Sequence, residues 1–339
     1  MLRLACAAVL LLATFLVAPA AAFAETYPEP VLVGDVGDPS VVADGRRLVV
    51  VATGAQVDRA VKEPGRDWRW TEPVLASRPD WARKGAIWAA DLTRVGNRWL
   101  LYFAVPVRGL GREGRCIGVA VARGPLKTFR PVGTRPLVCP ARAKVPAAAD
   151  PVVVPDLPSK GVIDPSAYEE GGRRYLLYKT DRKPSSLRLL PLTASGRNAA
   201  GASVELVRSD GVIENPVLLR NAAGYYLFAS EGDFARCTYR QTWRRSASLT
   251  AWADAVPAVL LDRTTTGGLC GPGGGDVLVR QGRTTLYFHG WVRLHSTKPK
   301  GASFWGWNGG EREARRAMYA ARLAFPGGVP TVVRYLPAG

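Results

Sequence analysis

Short runs of β-branched and aromatic residues, each broken by a glycine turn, recur along this 339-residue chain. Five of these segments share one layout, in which two apolar runs flank the turn, and this layout predicts a β-hairpin. The predicted hairpins cover residues 38–52, 88–104, 164–178, 214–229 and 271–288. Because the sequence between successive hairpins is long enough for two further strands, the pattern predicts five four-stranded units.

Five four-stranded units arranged around an axis form a β-propeller, whose radial repetition leaves only short, protected sheet edges. Helical periodicity is weak throughout, and the one helix-like stretch runs from Arg312 to Leu323. We therefore predict an all-β protein with a five-bladed β-propeller fold.

Three of the hairpins begin with a carboxylate beside a proline. The segments are Asp38-Pro39, Asp164-Pro165 and Glu214-Asn215-Pro216. Asp-Pro alone is a common turn former. In a propeller, however, the first strand of each blade lines the central channel, so acids at these positions would point toward one axis. The pattern therefore predicts a shared acidic site at the centre.

The start of the chain predicts export. Residues 1–24 contain a short positive start with Arg3, an apolar stretch from Leu4 to Pro19, and a cleavage pattern at Ala22-Phe23-Ala24, as in a secretory signal peptide. A transmembrane anchor is the competing interpretation, but the stretch is short and no later run approaches the roughly 18 apolar residues of a spanning helix. We expect a secreted, extracellular protein without a membrane anchor, with a single monomeric domain at residues 25–339.

Loss of Cys6 with the signal peptide leaves an even number of cysteines. The remaining ones are Cys116, Cys139, Cys237 and Cys270. Three pairings are possible in an oxidising compartment, and the local pairs, Cys116 with Cys139 and Cys237 with Cys270, fit a repeat whose neighbouring elements touch. With only His289 and His295 in the chain, a histidine-rich metal site or a Ser-His-Asp triad is hard to build.

The formal net charge of +18 is of the kind that attracts nucleic acid, anionic wall polymers or acidic polysaccharides. The basic residues are scattered along the chain and form neither a stripe nor an RNA-binding motif. We therefore do not expect a nucleic-acid partner.

The order of the acidic motifs resembles glycoside hydrolase family 43, whose five-bladed members hydrolyse arabinans, xylans and related glycans. Family members carry Asp-Pro in blade 1, Trp-Ala-Pro-Asp in blade 2, Ile-Asp-Pro in blade 3 and Glu-Gly-Pro or Glu-Ala-Pro in blade 4. The matching segments here are Asp38-Pro39, Trp88-Ala89-Ala90-Asp91, Ile163-Asp164-Pro165 and Glu214-Asn215-Pro216. The resemblance covers essentially all of the mature chain and is greatest to the arabinanase branch, on residues 117–120, 225–230, 237–239 and 245–246.

This resemblance implies a role for each acid. Glu214 would be the general acid and Asp38 the general base that activates water. Asp164 would orient the acid and raise the pKa of Glu214 through its negative charge. Attack by water from the opposite face would invert the anomeric centre.

Two further residues are predicted to contact substrate. Trp88 would stack on a sugar ring, and Asp91 would either bind sugar hydroxyls or fix the blade 2 turn. Other tryptophans fall in predicted loops, where they either line the cleft or pack in the ordinary way; these are Trp68, Trp70, Trp81, Trp291, Trp305 and Trp307. Trp99 is predicted to lie in the core.

Two glycines depart from the family pattern. Gly37 stands where endo-arabinanases usually have histidine, and Gly274 replaces the fifth-blade histidine that reaches the central ion; His289 does not stand at that sequence position. Three alternatives follow: an ion, calcium by the resemblance, held by waters and other oxygens including Asp276; no ion; or a degenerate site. We expect that no cofactor or metal is required.

The sequence thus predicts a secreted inverting glycosidase that cleaves arabinose-containing polysaccharide, like an endo-1,5-α-L-arabinosidase. The alternatives are an exo-acting β-xylosidase or α-L-arabinofuranosidase, and a catalytically lapsed propeller that only binds glycan. In each case the partner is a polysaccharide or oligosaccharide.

Overall fold

The computed structural model describes residues 28–146, 160–292 and 315–338, and the predicted signal peptide lies outside these residues. Within the described part, twenty strands form five sheets of four antiparallel strands, and strand order in each sheet follows the chain. Each sheet is one blade of a five-bladed propeller, as the sequence predicts.

The blades have the following strands. Blade 1 contains β1 (Ser40–Asp44), β2 (Arg47–Ala52), β3 (Asp58–Lys62) and β4 (Trp68–Thr71). Blade 2 contains β5 (Trp88–Val95), β6 (Arg98–Pro106), β7 (Arg115–Ala122) and β8 (Arg130–Val132). Blade 3 contains β9 (Val162–Glu170), β10 (Arg173–Thr180), β11 (Ser185–Leu192) and β12 (Val204–Ser209). Blade 4 contains β13 (Ile213–Asn221), β14 (Gly224–Glu231), β15 (Arg240–Ser246) and β16 (Ala258–Leu261). Blade 5 contains β17 (Cys270–Arg280), β18 (Arg283–Val292), β19 (Arg315–Ala324) and β20 (Thr331–Tyr335), with a short 3-10 turn at Pro326–Gly328.

The first strands of the blades form a closed ring around the axis. Strand β1 contacts β5, β5 contacts β9, β9 contacts β13, β13 contacts β17, and β17 returns to contact β1. The chain before blade 1 reinforces this closure, since the Val31 amide donates to the Met318 carbonyl and the Met318 amide donates to the Leu32 carbonyl. The segment before blade 1 is therefore hydrogen-bonded to the last blade.

The core lies between neighbouring blades, so the middle strands are buried on both faces. Strand β6 shows this directly, because successive side chains of a strand point to opposite sides of the sheet. Leu101 and Phe103 join an apolar cluster with blade 1, while Leu100 and Tyr102 join a cluster with blade 3. This arrangement explains why the second strand of each blade contains a continuous run of apolar residues in the sequence.

The helix-like stretch from Arg312 to Leu323 was predicted wrongly. Its described part belongs to strand β19. Ala317 and Tyr319 pack in one apolar cluster and Met318 and Ala320 in another, so the strand is apolar on both faces. A strand of this kind lacks the alternation of apolar and polar residues that separates a strand from a helix.

Each blade has one residue in the left-handed backbone region at the same place near the start of its first strand. These residues and their φ angles are Asp38 (54°), Ala89 (42°), Asp164 (55°), Asn215 (49°) and Gly274 (59°). In blades 2 to 5 the pairing register shifts here, which is the mark of a β-bulge. The bulge ends regular pairing at the mouth of the channel.

The backbone N–H groups at four of these left-handed positions reach across to the preceding blade. Those of Asp38, Ala89, Asn215 and Gly274 donate respectively to His289, Thr53, Asp164 and Ser230 at 2.7–3.1 Å. The acceptors belong to blades 5, 1, 3 and 4, so hydrogen bonds run around the ring in one direction. The bulges therefore join the blades as well as shaping the mouth.

Two disulfides are present, Cys116–Cys139 within blade 2 and Cys237–Cys270, which joins the loop between β14 and β15 of blade 4 to the start of blade 5. These are the local pairs expected from the sequence. No helix in the described part of the chain has the length and apolar character needed to cross a membrane.

We predict that the protein without residues 1–24 has no free thiol, so thiol labelling of that chain, denatured but unreduced, should find none. The bonds span 23 and 33 residues, loop lengths at which one disulfide contributes about 3 kcal/mol. Replacing both Cys237 and Cys270 with serine should lower the free energy of unfolding by about that amount in a denaturant titration. A labelled thiol in the mature, unreduced protein would contradict the pairing.

Candidate active site

A cleft with a volume of about 540 Å³ opens at the mouth of the propeller axis and is lined by Asp38, Asp164 and Glu214. The three acids come from blades 1, 3 and 4, and thus the ring of blades brings together residues far apart in sequence. Asp38 and Asp164 occupy the left-handed bulge position itself. Glu214 precedes the equivalent residue of blade 4, Asn215, which explains why its motif is one residue longer.

Polar contacts on both oxygens hold the Asp38 carboxylate. The Thr53 hydroxyl donates to Oδ2 at 2.9 Å and the Asn215 side-chain amide donates to Oδ1 at 3.3 Å. A guanidinium nitrogen of Arg316 lies 3.8 Å from Oδ2. These three contacts hold the carboxylate in one position at the mouth of the channel.

Two side chains bind Glu214. Lys179 Nζ donates to Oε2 at 2.6 Å, and the Tyr239 hydroxyl donates to Oε1 at 2.8 Å. Both partners are buried. Burial by itself would lower the pKa of Lys179, but the surrounding carboxylates Glu214, Asp164 and Asp181 raise it, so this lysine remains charged. Glu214 is therefore held by one cation and one hydroxyl.

Asp164 is buried beside this ion pair. Its Oδ2 accepts the Asn215 backbone N–H at 3.0 Å. Burial raises the pKa of Asp164 well above its usual range, the charge of Glu214 raises it further, and Lys179 acts in the opposite direction. Asp164 is therefore the carboxyl of this pair that burial and charge drive to hold a proton.

The expected effect of Asp164 on the pKa of Glu214 stays a prediction. In this arrangement Lys179 donates to Glu214, and the charge of Glu214 raises the pKa of Asp164. Because interacting acids titrate as a unit, the available proton belongs to the Asp164 and Glu214 pair rather than to either residue.

The sequence analysis missed Lys179, Tyr239, Thr53 and Asn215 as parts of this site. Lys179 did carry a signal, because it follows the buried run of β10 and a lysine is rarely buried without a partner. Thr53 and Tyr239 contact acids that lie 15 and 25 residues away in the chain, and no local pattern indicates these contacts.

Asp91 lies below the cleft, in the channel, together with Asp276. Its carboxylate accepts the Ser40 hydroxyl at 3.1 Å and the Ala167 backbone N–H at 3.0 Å, and so links blade 2 to blades 1 and 3. Burial raises the pKa of Asp91 to about 7, and Asp276 adds to the rise. The cleft-lining residues do not include Asp91, so these contacts indicate a role in joining blades.

Trp88 lines the cleft, and the Arg115 guanidinium stacks on its ring. Trp291 also lines the cleft, but it is buried in β18 and not in a loop as predicted. Trp68 and Trp70 likewise lie in a strand, β4. Trp81 and Trp99 are buried in the core, whereas Trp305 and Trp307 lie outside the described residues.

Side chains from other strands fill the space at both unusual glycines. A Cβ atom on Gly37 would overlap the Arg316 guanidinium. A Cβ atom on Gly274 would lie 2.5 Å from His289 Cε1. The imidazole of His289 therefore sits beside Gly274, although it belongs to the adjacent strand β18 and not to the sequence position of the family histidine.

The residues beside Gly274 do not fit a directly coordinated calcium ion. His289 Nδ1 accepts the Asp38 N–H, and its ring stacks on Tyr239 with centroids 5.7 Å apart. Burial and then Arg316 lower the pKa of His289 well below its usual value, so the ring is neutral. Within residues 28–146, 160–292 and 315–338, no three His, Cys, Asp or Glu side chains are grouped to hold a metal.

A propeller whose axial cleft gathers three carboxyl groups is the architecture of a glycoside hydrolase, in which two of the groups must act in different protonation states. The sequence matches Glycosyl hydrolases family 43 over residues 27–308. The chain therefore belongs to this family and is a glycoside hydrolase.

Individual relatives are distant. The extracellular exo-α-(1→5)-L-arabinofuranosidase ArbA of Cellvibrio japonicus (strain Ueda107) is 24% identical over 269 residues, which cover 73% of this chain and 71% of ArbA. An exo-1,5-α-L-arabinanase from a bovine ruminal metagenomic library superposes with a TM-score of 0.66 at 19% identity, covering 90% of this chain and 98% of the other. A thermostable family-43 glycoside hydrolase gives a TM-score of 0.71 at 17% identity, with coverages of 93% and 98%.

We predict that Asp91→Asn stabilises the protein at high pH. A folded-state pKa of about 7, above that of the unfolded chain, means that stability falls as pH rises from about 4 to 7, by up to about 4 kcal/mol. The side-chain amide oxygen of asparagine can still accept the Ala167 backbone N–H and contact the Ser40 hydroxyl. The variant should therefore unfold at a higher temperature than the parent at pH 8 and lose this advantage at pH 4. A stability gain that does not vary with pH would contradict the assignment.

We also predict that activity withstands chelation, because the groups beside Gly274 do not form a calcium site. Hydrolysis by EDTA-treated, dialysed enzyme should equal that of untreated enzyme at the same ionic strength. Loss of activity with EDTA and its recovery on adding calcium would show that the channel does hold the ion.

Proposed function

We propose that this protein hydrolyses α-1,5-linked L-arabinan outside the cell by a single displacement that inverts the anomeric centre. The observation that carries the proposal is the arrangement of Asp38, Glu214 and Asp164 around one cleft, each with different partners. Such differences in environment give the carboxyl groups different protonation states, as acid and base catalysis requires.

In the proposed reaction, Asp38 removes a proton from a water molecule as that water attacks the anomeric carbon. Glu214 gives a proton to the leaving glycosidic oxygen, and the carbon–oxygen bond breaks. The Asp164 and Glu214 pair then regains a proton from solvent, while Asp38 releases the one it took. Thr53, Asn215 and Arg316 keep Asp38 oriented before each turnover.

Two observations support arabinan as the substrate and attack from a chain end. Two relatives described above are an exo-α-(1→5)-L-arabinofuranosidase and an exo-1,5-α-L-arabinanase. In addition, the Arg316 guanidinium fills the side of the cleft next to Gly37. This favours exo action over the endo action that the sequence motifs suggested. ArbA is an extracellular enzyme, and this similarity supports export of the present chain.

Product analysis tests the substrate and the mode of attack together. We expect reducing sugar from linear and debranched arabinan and none from xylan, with short products from the first minutes of reaction. A ladder of long oligosaccharides would indicate endo action, and release from xylan would favour the β-xylosidase alternative. No release from any of these glycans would favour a propeller that only binds glycan.

We predict that Asp38→Ala and Glu214→Ala each lower kcat on arabinan by about 100-fold to 10,000-fold, the usual contribution of a positioned proton transfer. Circular dichroism should show that both variants remain folded. Proton NMR of the first product should show inversion of the anomeric centre. A retained anomer, or an Asp38→Ala enzyme of normal activity, would overturn the assignment.

We predict opposite pH shifts for the two neighbours of Glu214. Asp164→Asn leaves one carboxyl where two share a proton, so the charge repulsion that keeps this proton bound is lost and the basic limb of kcat/KM moves to lower pH. Lys179→Met removes a positive charge, so the acid pair holds its proton longer and that limb moves to higher pH. Lys179→Arg is the matched control, because it keeps the charge and should leave the limb near its original position. Shifts of the same sign would contradict the model of a shared proton.

A further inference from the structure

A second groove lies where the last blade meets the first, and the catalytic site does not use it. It has a volume of about 350 Å³ and is lined by residues of β2, β3, β4, β17, β18 and β19 and of the chain after β20. Arg280 at its edge is six residues beyond Gly274 along β17, which corresponds to about 20 Å of strand. The groove is thus separate from the cleft.

Four cationic side chains line this groove, namely Lys62, Arg280, Arg283 and Arg322, and no carboxylate lines it. Lys62 and Arg280 donate only to backbone carbonyl oxygens, of Arg66 and Gly45. In the described part of the chain, no ion pair joins any of the four to an acid, although many arginines elsewhere are paired.

The cations also repel one another. Burial lowers the pKa of Arg322, and the charges of Arg283 and Arg334 lower it further. A bound anion would offset the repulsion among these cations, since an opposite charge within a few ångströms favours the charged form of a guanidinium. Planar guanidinium groups suit carboxylates in particular, which they bind through two parallel hydrogen bonds.

An aromatic side chain stands beside these charges. Trp68 is partly buried and meets the buried ring of Tyr287 edge to face, with centroids 6.5 Å apart and planes at 83°. Both residues line the groove. A tryptophan ring held in this way offers an apolar surface on which a sugar ring can pack.

From these observations we propose that the groove between blades 5 and 1 binds an acidic polysaccharide, through carboxylates on its sugar rings. The arginines and Lys62 bind the carboxylates, and Trp68 contacts a sugar ring. Single-stranded nucleic acid fits less well, because the basic residues form one compact pocket and not a path that follows a phosphate backbone. The proposal does not depend on the catalytic assignment above.

A second pair of arginines provides a control matched in charge and exposure. Arg135 and Arg197 line a different groove on blades 2 and 3, where no aromatic side chain is present. In each pair one arginine is half-buried and the other is exposed. Replacing either pair with glutamine removes the same net charge from the protein.

The test measures binding by isothermal titration calorimetry at fixed ionic strength, with the whole exported protein. The probes are a short oligogalacturonate, a neutral arabino-oligosaccharide and a single-stranded oligodeoxynucleotide. We expect Arg283→Gln with Arg322→Gln to weaken oligogalacturonate binding by about tenfold or more, and Arg135→Gln with Arg197→Gln to weaken it by less than about twofold. Thermal unfolding should confirm that both double variants are folded.

Three results would overturn the proposal. The first is equal weakening by the two double variants, which would mean that net charge alone attracts the glycan. The second is an oligodeoxynucleotide that binds as tightly as oligogalacturonate and loses as much affinity in the Arg283 and Arg322 variant. The third is no measurable oligogalacturonate binding by the parent protein.

Discussion

The backbone N–H at each bulge is the constraint on which the site depends. A left-handed residue places this N–H where the regular strand cannot use it, and a buried N–H must find an acceptor. In four blades the acceptor is a side chain of the preceding blade. The same bonds that close the ring therefore fix the backbone that carries Asp38 and the residue next to Glu214.

This requirement restricts which residues can stand at the bulges. A left-handed conformation costs most residues about 1–2 kcal/mol, whereas glycine, asparagine and aspartate tolerate it better. Four of the five positions hold Asp, Asn or Gly. Two of those aspartates line the active cleft, so a residue type that the backbone favours also supplies the acid for the chemistry.

Electrostatics at the centre follow from burial. Carboxyl groups withdrawn from water resist ionisation, and those of Asp164, Asp91 and Asp276 all have raised pKa values. Lys179 offsets this cost at the one place where the reaction needs a mobile proton. Among the described residues no cation contacts the two aspartates of the channel below, and their hydrogen-bond donors are backbone N–H groups and the Ser40 hydroxyl.

The sequence predicted the features that repeat along the chain. The hairpins, the five blades, the local disulfides and the family follow from patterns that recur at equivalent positions of the sequence repeat. It also assigned Asp38, Asp164 and Glu214, whose roles remain proposals but which the fold brings to one cleft.

The sequence predicted poorly the contacts between residues that are far apart in the chain. Lys179 reaches Glu214 from strand β10 of blade 3, Tyr239 reaches it from the segment just before β15, and the pairing of Arg316 with Gly37 joins residues at opposite ends of the chain. Strand β19 was mistaken for a helix because two neighbouring layers bury it, which removes the alternation on which the distinction depends. The sequence left the role of Asp91 open between substrate binding and the blade 2 turn, because the depth of a residue along the axis cannot be read from its position in the chain.

The contact between Gly274 and His289 has a consequence for how this protein can change. Histidine at position 274 would need a left-handed backbone and would collide with the ring already present. Overpacking of this kind costs about 1–3 kcal/mol, in addition to the backbone penalty. Substitutions at positions 274 and 289 are therefore epistatic. Moving the histidine from one position to the other by single substitutions passes through a destabilised intermediate.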